Sequence, residues 1–112
     1  ASGMGAGFNV VIHEIAHKID ALDGGPNGRP PLHAGMDPSE WSVTFTEAFT
    51  ALCKTPEDFS LDLYAAEAPE EFFAVASEYF FELPDTLAEQ HSAVYAQLAA
   101  FYRQDPCAGD GC

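Results

Sequence analysis

The segment Asn9-Val-Val-Ile-His13-Glu14-Ile-Ala-His17-Lys-Ile-Asp20 sets two imidazoles and a carboxylate at fixed offsets. In a helix, residues four apart stand one above the other, so His13 and His17 present their nitrogens to one point. Two neutral imidazoles are donors of the kind that zinc accepts. Glu14 projects to one side of the pair, beside a metal rather than over it. A carboxylate there can take a proton from water activated at the metal and deliver it to a leaving amine. The HExxH spacing therefore points to metal-assisted hydrolysis. The bland alternative is a chance match on an ordinary amphipathic helix, but this segment is unusually apolar, and two unpaired histidines are costly to bury there.

A catalytic zinc takes three protein ligands and keeps a further position open. Two sources compete for the third. Asp23 follows His17 by six residues, which is similar to the extended HExxHxxGxxH/D pattern of another zinc-peptidase group. That pattern needs glycine three residues after the second histidine, and the residue here is Asp20. The other source is a glutamate from the segment that Pro69 opens, where Glu70, Glu71, Glu78 and Glu82 are available. Glu71 and Glu78 are two turns apart on one helix face, so periodicity alone does not separate them.

The elements that position these groups read as helices. Val10, Val11, Ile12, Ile15, Ala16, Ile19 and Leu22 predict a buried helix from Phe8 to about Leu22, ended by the loop Gly24-Gly25-Pro26-Asn27-Gly28 and Pro30-Pro31. Asp37-Pro38-Ser39-Glu40 carries an N-cap, a first-turn proline and a capping-box-like glutamate, and Trp41, Phe45, Phe49 and Leu52 then recur at helical spacing. An irregular connection from Thr55 carries Tyr64. Phe72, Phe73, Ala76, Tyr79, Phe80 and Leu83 make the stripe of a third helix, which Pro84 breaks. A last helix is expected over about Asp85 to Arg103. The expectation is one mainly α domain over residues 1–112, with few or no strands, a flexible lead-in at 1–7 and a flexible Gly/Cys tail at 105–112.

With 112 residues, 47% apolar and nine Phe, the chain supports one modest core. Eighteen acidic against four basic residues give a formal net charge of −14, which repels phosphate backbones and anionic lipid, so neither nucleic acid nor membrane is an expected partner. No apolar run has the length of a membrane span, and no signal segment is visible. Cys53 reads as core, while Cys107 and Cys112 can pair, ligate weakly or do nothing. His33 and His91 read as surface histidines, and Trp41 with the Phe stripe as core.

The first block quoted above, together with Asp62-Leu-Tyr-Ala-Ala-Glu-Ala-Pro-Glu-Glu-Phe-Phe-Ala-Val-Ala-Ser-Glu-Tyr-Phe-Phe81, resembles the MtfA (Mlc titration factor A) family. These are bacterial zinc metallopeptidases of the glutamate-zincin (gluzincin) type, with a catalytic core similar to that of anthrax lethal factor. The resemblance spans residues 8 to about 104, with its strength in the two blocks. It implies His13 and His17 as zinc ligands, Glu14 as general base, Glu71 as third ligand and Tyr64 as donor to the developing oxyanion. Glu78, and likewise Asp20, then falls to supporting a histidine N–H or to no role. Family members are longer, and the extra length precedes the metal-site helix. In related zinc peptidases that region contributes strands that hold extended substrate. The chain is thus expected to be a fragment of a larger protein or a pared-down relative.

The expected function is a zinc-dependent peptidase acting on a peptide or protein substrate. The rival is a non-catalytic zinc-binding or protein-interaction module, with a transcriptional repressor as the partner that the family name implies. A zinc hydrolase acting on a non-peptide amide is a third reading. The resemblance implies a cytoplasmic location.

Overall fold

The computed structural model describes residues 10–22, 24, 25 and 27–107. Among them are five α-helices and no strand: α1 Val10–Ala21, α2 Pro38–Lys54, α3 Pro69–Glu82, α4 Pro84–Gln90 and α5 Ser92–Tyr102. Two short 3-10 turns, Pro56–Asp58 and Leu63–Ala66, join α2 to α3. The mainly α expectation therefore holds. Residues 1–9, Asp23, Pro26 and 108–112 lie outside the described residues, so the lead-in, the Asp23 alternative and most of the tail do too.

Helix α3 is the centre of the fold. Every residue from Phe72 to Phe80 is buried, including Ser77 and Glu78. A helix that is apolar nearly all round has to be covered on all sides, and α1, α2, α4, α5 and the Leu63–Ala66 turn all pack against it. The aromatic residues fill the space between α2, α3 and α5. Trp41 stacks on Phe45 at 4.3 Å and meets Phe73 and Phe101, while Phe45 and Phe49 meet the edge of Phe72. The start of α2 follows its sequence signals: Asp37 accepts a hydrogen bond from the Ser39 N–H at 2.8 Å, and Pro38 takes the first turn.

Gly28 ties the loop after α1 to three other elements. Its N–H donates to Asp20 Oδ2 at 2.7 Å and its carbonyl accepts from the Trp41 indole at 3.1 Å. Its φ is +81°, and a Cβ at this position would lie 2.8 Å from the Pro69 carbonyl oxygen at the start of α3. Only glycine combines that backbone conformation with that close approach.

Several expectations are corrected. Helix α1 is not buried all round: Val10, Val11 and Ile15 are exposed, as is Leu22 just after it, because α1 packs chiefly against α3 and only His13, Ala16 and Asp20 of it are buried. The last helix is two helices, broken at His91, whose backbone leaves the helical region at φ −140°, ψ 64°. His91 is not a surface residue. It is buried, its ring stacks on Phe59 at 4.7 Å, and it meets the edge of Phe72. The break falls where that ring docks, and no proline or glycine marks it. Cys53, next to the fully buried Leu52, is exposed, with Sγ 3.7 Å from the Ala66 carbonyl. His33 is half-buried and tied by Nε2 to the Phe101 carbonyl at 2.7 Å.

Candidate metal centre

The site forms where α1 packs along α3, between Glu71 and Glu78. Pro69 opens α3 without a side-chain cap, and Glu70 and Glu71 fill its first turn, where carboxylates are favoured by the helix dipole. Glu71 points back across α1, and its Oε1 lies 3.0 Å from both His13 Nε2 and His17 Nε2. Two turns along the same face, Glu78 Oε2 lies 2.7 Å from His13 Nδ1. The shared face of Glu71 and Glu78 thus resolves into two different contacts. One carboxylate meets the outward imidazole nitrogens and the other backs the ring of His13 from the core.

Burial grades across the site. The side chains of His13 and Glu78 are 3% and 0% exposed, whereas those of His17 and Glu71 are 21% and 18% exposed. One edge of the site is therefore sealed by α3 and the other opens to solvent. Glu14 is itself exposed.

Tyr64 is set by the Leu63–Ala66 turn. Asp62 caps that turn by accepting from the Tyr64 N–H at 2.9 Å, and the Tyr64 ring centroid comes to 5.8 Å from that of His13. The phenol pKa is raised above its ordinary value of 10.0, chiefly by the negative charge of Glu71, then by burial and by the charges of Glu67 and Glu14. Tyr64 accordingly stays a hydroxyl donor throughout the neutral range.

The donor set fits a divalent metal. His13, His17 and Glu71 offer ligand atoms that all lie within 4.8 Å of one another. Tetrahedral zinc with bonds of ~2.0–2.1 Å needs donors ~3.3–3.4 Å apart, and the 3.0 Å separations here reach that with a few tenths of an ångström of opening. The carboxylate of Glu78 on His13 Nδ1 is the kind of backing that fixes the tautomer of a liganding imidazole. Asp20 makes no such contact. Its bond goes to Gly28, a tie that sequence reasoning missed because nothing in the loop composition announces it.

Comparison with known proteins bears on the chain as a whole. The family model for the glucose-regulated metallo-peptidase M90 matches residues 1–103. The chain belongs to this family. Among its relatives, Mlc titration factor A of Edwardsiella ictaluri (strain 93-146) is 43% identical over 107 residues, covering 90% of this chain and 41% of the relative. Mlc titration factor A of Yersinia pestis (strain Pestoides F) is 45% identical over 109 residues, covering 92% and 40%, and that of Yersinia pseudotuberculosis serotype O:1b (strain IP 31758) matches to the same extent. The chain spans about two fifths of the length of those relatives. The resemblance carried by the two sequence blocks is thus upheld as family membership. Among the described residues, no helix is long and apolar enough to cross a membrane.

Proposed function

We propose that His13, His17 and Glu71 hold a zinc ion and that the site hydrolyses peptide bonds. The observation that carries this reading is the meeting of two imidazole Nε2 atoms at one carboxylate oxygen, each 3.0 Å away, on the open side of a sealed core. Membership of a metallo-peptidase family supports it. A bound zinc supplies a Lewis acid that polarises a carbonyl and lowers the pKa of a water.

The chain's own residues do the rest. Glu14, exposed beside the ligands, takes a proton from the attacking water and returns it to the leaving amine. Tyr64, kept protonated by the surrounding carboxylates, donates from its hydroxyl to the oxygen on which negative charge develops. Glu78 holds the His13 ring from behind, so that Nε2 faces the metal position. The open edge at His17 and Glu71 admits an extended peptide.

A second reading has an observation of its own. Because the chain spans only about two fifths of its relatives, the part that grips a peptide can lie in the remainder. The site would then serve a zinc-binding or protein-interaction module. The name of these relatives, Mlc titration factor A, couples them to Mlc, so a protein partner of the repressor kind, met in the cytoplasm, belongs with this alternative.

The experiment is hydrolysis of a quenched fluorescent peptide library by zinc-loaded wild type and Glu14→Gln, with zinc content measured in both. The peptidase reading expects Glu14→Gln to keep its zinc and lose roughly 10²–10⁴-fold in rate. Equal rates in the two proteins would sink it in favour of the module.

A further inference from the structure

We propose that Asp20 is a positioning residue for His17, joining the Gly28 loop to the metal site through one carboxylate. The inference rests on the zinc reading above. Among the described residues, three buried side-chain atoms have no hydrogen-bond partner: His17 Nδ1, Asp20 Oδ1 and His91 Nε2. The last lies away from the site, in the aromatic niche of Phe59 and Phe72. The other two lie on the same helix, three residues apart, and are complementary, since one is an imidazole nitrogen able to donate and the other a carboxylate oxygen able only to accept.

Helix geometry puts them on one face. Residues three apart share a helix face, and side chains lean toward the N-terminus, so Asp20 leans back over the turn that holds His17. Asp20 is completely buried, and its Oδ2 is fixed by the Gly28 N–H at 2.7 Å, which leaves Oδ1 as the free end of an immobilised carboxylate. Burial makes leaving either atom unmatched costly. Joined directly or through one bridging water, Nδ1–H and Oδ1 would direct the Nε2 lone pair outward. Glu78 already stands in this relation to His13 at 2.7 Å. Each histidine then has its own carboxylate behind it, one from α3 and one from α1 itself, and His17 is oriented by the loop that also touches α3 at Pro69.

Asp20→Asn separates positioning from loop closure. Its carbonyl can still accept from Gly28, but its amide nitrogen faces His17 as a donor and favours the tautomer whose Nε2 carries the proton. Zinc affinity is measured by competition with a chromophoric chelator, and the imidazole nitrogens are followed by long-range ¹H–¹⁵N spectra of zinc-loaded, ¹⁵N-histidine-labelled protein. The proposal expects a slowly exchanging Nδ1 proton on His17 in wild type. In Asp20→Asn it expects loss of that signal, an unchanged His13, and zinc binding weaker by about 10–100-fold. Wild-type affinity in Asp20→Asn would overturn it, leaving Asp20 as a loop tie alone. Should that variant not fold, the wild-type spectrum decides, because a His17 Nδ1 proton exchanging as freely as that of an exposed histidine overturns the proposal as well. Failure of wild type to bind zinc is a distinct result that removes the zinc reading and this inference with it.

Discussion

Helices α1 and α3 meet at the same few side chains, yet they are held in the fold very differently. Helix α3 is enclosed, with nine consecutive residues buried and packing partners on every side. Helix α1 supplies both histidines and Glu14 but buries only His13, Ala16 and Asp20, and keeps much of its Val and Ile surface exposed. The buried core centres on α3, and the histidines proposed as metal ligands sit on α1. Such a division suits a site in which a rigid carboxylate from the core sets the position of donors on a more lightly held element.

Substitutions that touch one helix and not the other test this division. The largest expected effect is Phe73→Ala, which opens a void in the fully buried centre of the aromatic cluster and lowers stability by about 3–5 kcal/mol in urea unfolding. A loss under about 1 kcal/mol would mean that α3 is not the main support. Next comes Glu78→Gln, which keeps the volume but turns an acceptor of the His13 N–H into a possible donor. Zinc affinity by chelator competition should fall about 10–100-fold, and an unchanged affinity would detach α3's second carboxylate from the site.

His91 gives a pH test located away from both histidines of α1. Burial lowers its pKa below the ordinary 6.5, so the folded protein binds fewer protons there than the unfolded chain. Its contribution is complete above pH 6.5 and is lost as the pH falls toward the depressed folded value. His91→Phe, which can keep the stack on Phe59, should therefore show a shallower loss of denaturation midpoint than wild type as the pH is lowered from above 6.5. Parallel pH curves would count against a buried neutral imidazole. The smallest effect is expected for Ile15→Ser on the exposed side of α1, within about 0.5 kcal/mol of wild type. A much larger loss would mean that this face of α1 is covered in solution.

Legibility in the sequence followed the range of the interactions. The caps and breakers of α2 and α3 are local, and Asp37, Pro38, Pro69 and Pro84 mark their ends in the chain itself. The spacing of His13 and His17 is likewise a property of a single helix, and the structure brings the two rings to 4.7 Å. Glu71 and Glu78 are different, because periodicity puts them on one face and only the packing of α1 along α3 assigns them to different histidine nitrogens. The break at His91 was hidden for a similar reason. It falls where a ring docks on Phe59, a residue far away in the chain, and not at a breaker. The exposed flank of α1 also escaped composition, which records how apolar a helix is but not how many neighbours arrive to cover it.

Gly28 has a consequence for inheritance. The loop it belongs to is rich in glycine and proline and would ordinarily tolerate change. At this one position a side chain meets both a left-handed backbone and the Pro69 carbonyl, two residues before Glu71. A mutation there displaces the first turn of α3 and loosens the Asp20 tie together. If the proposed zinc site is right, a genetic screen for lost metal binding should recover Gly28 beside His13, His17 and Glu71, although glycine has no side chain to offer a metal.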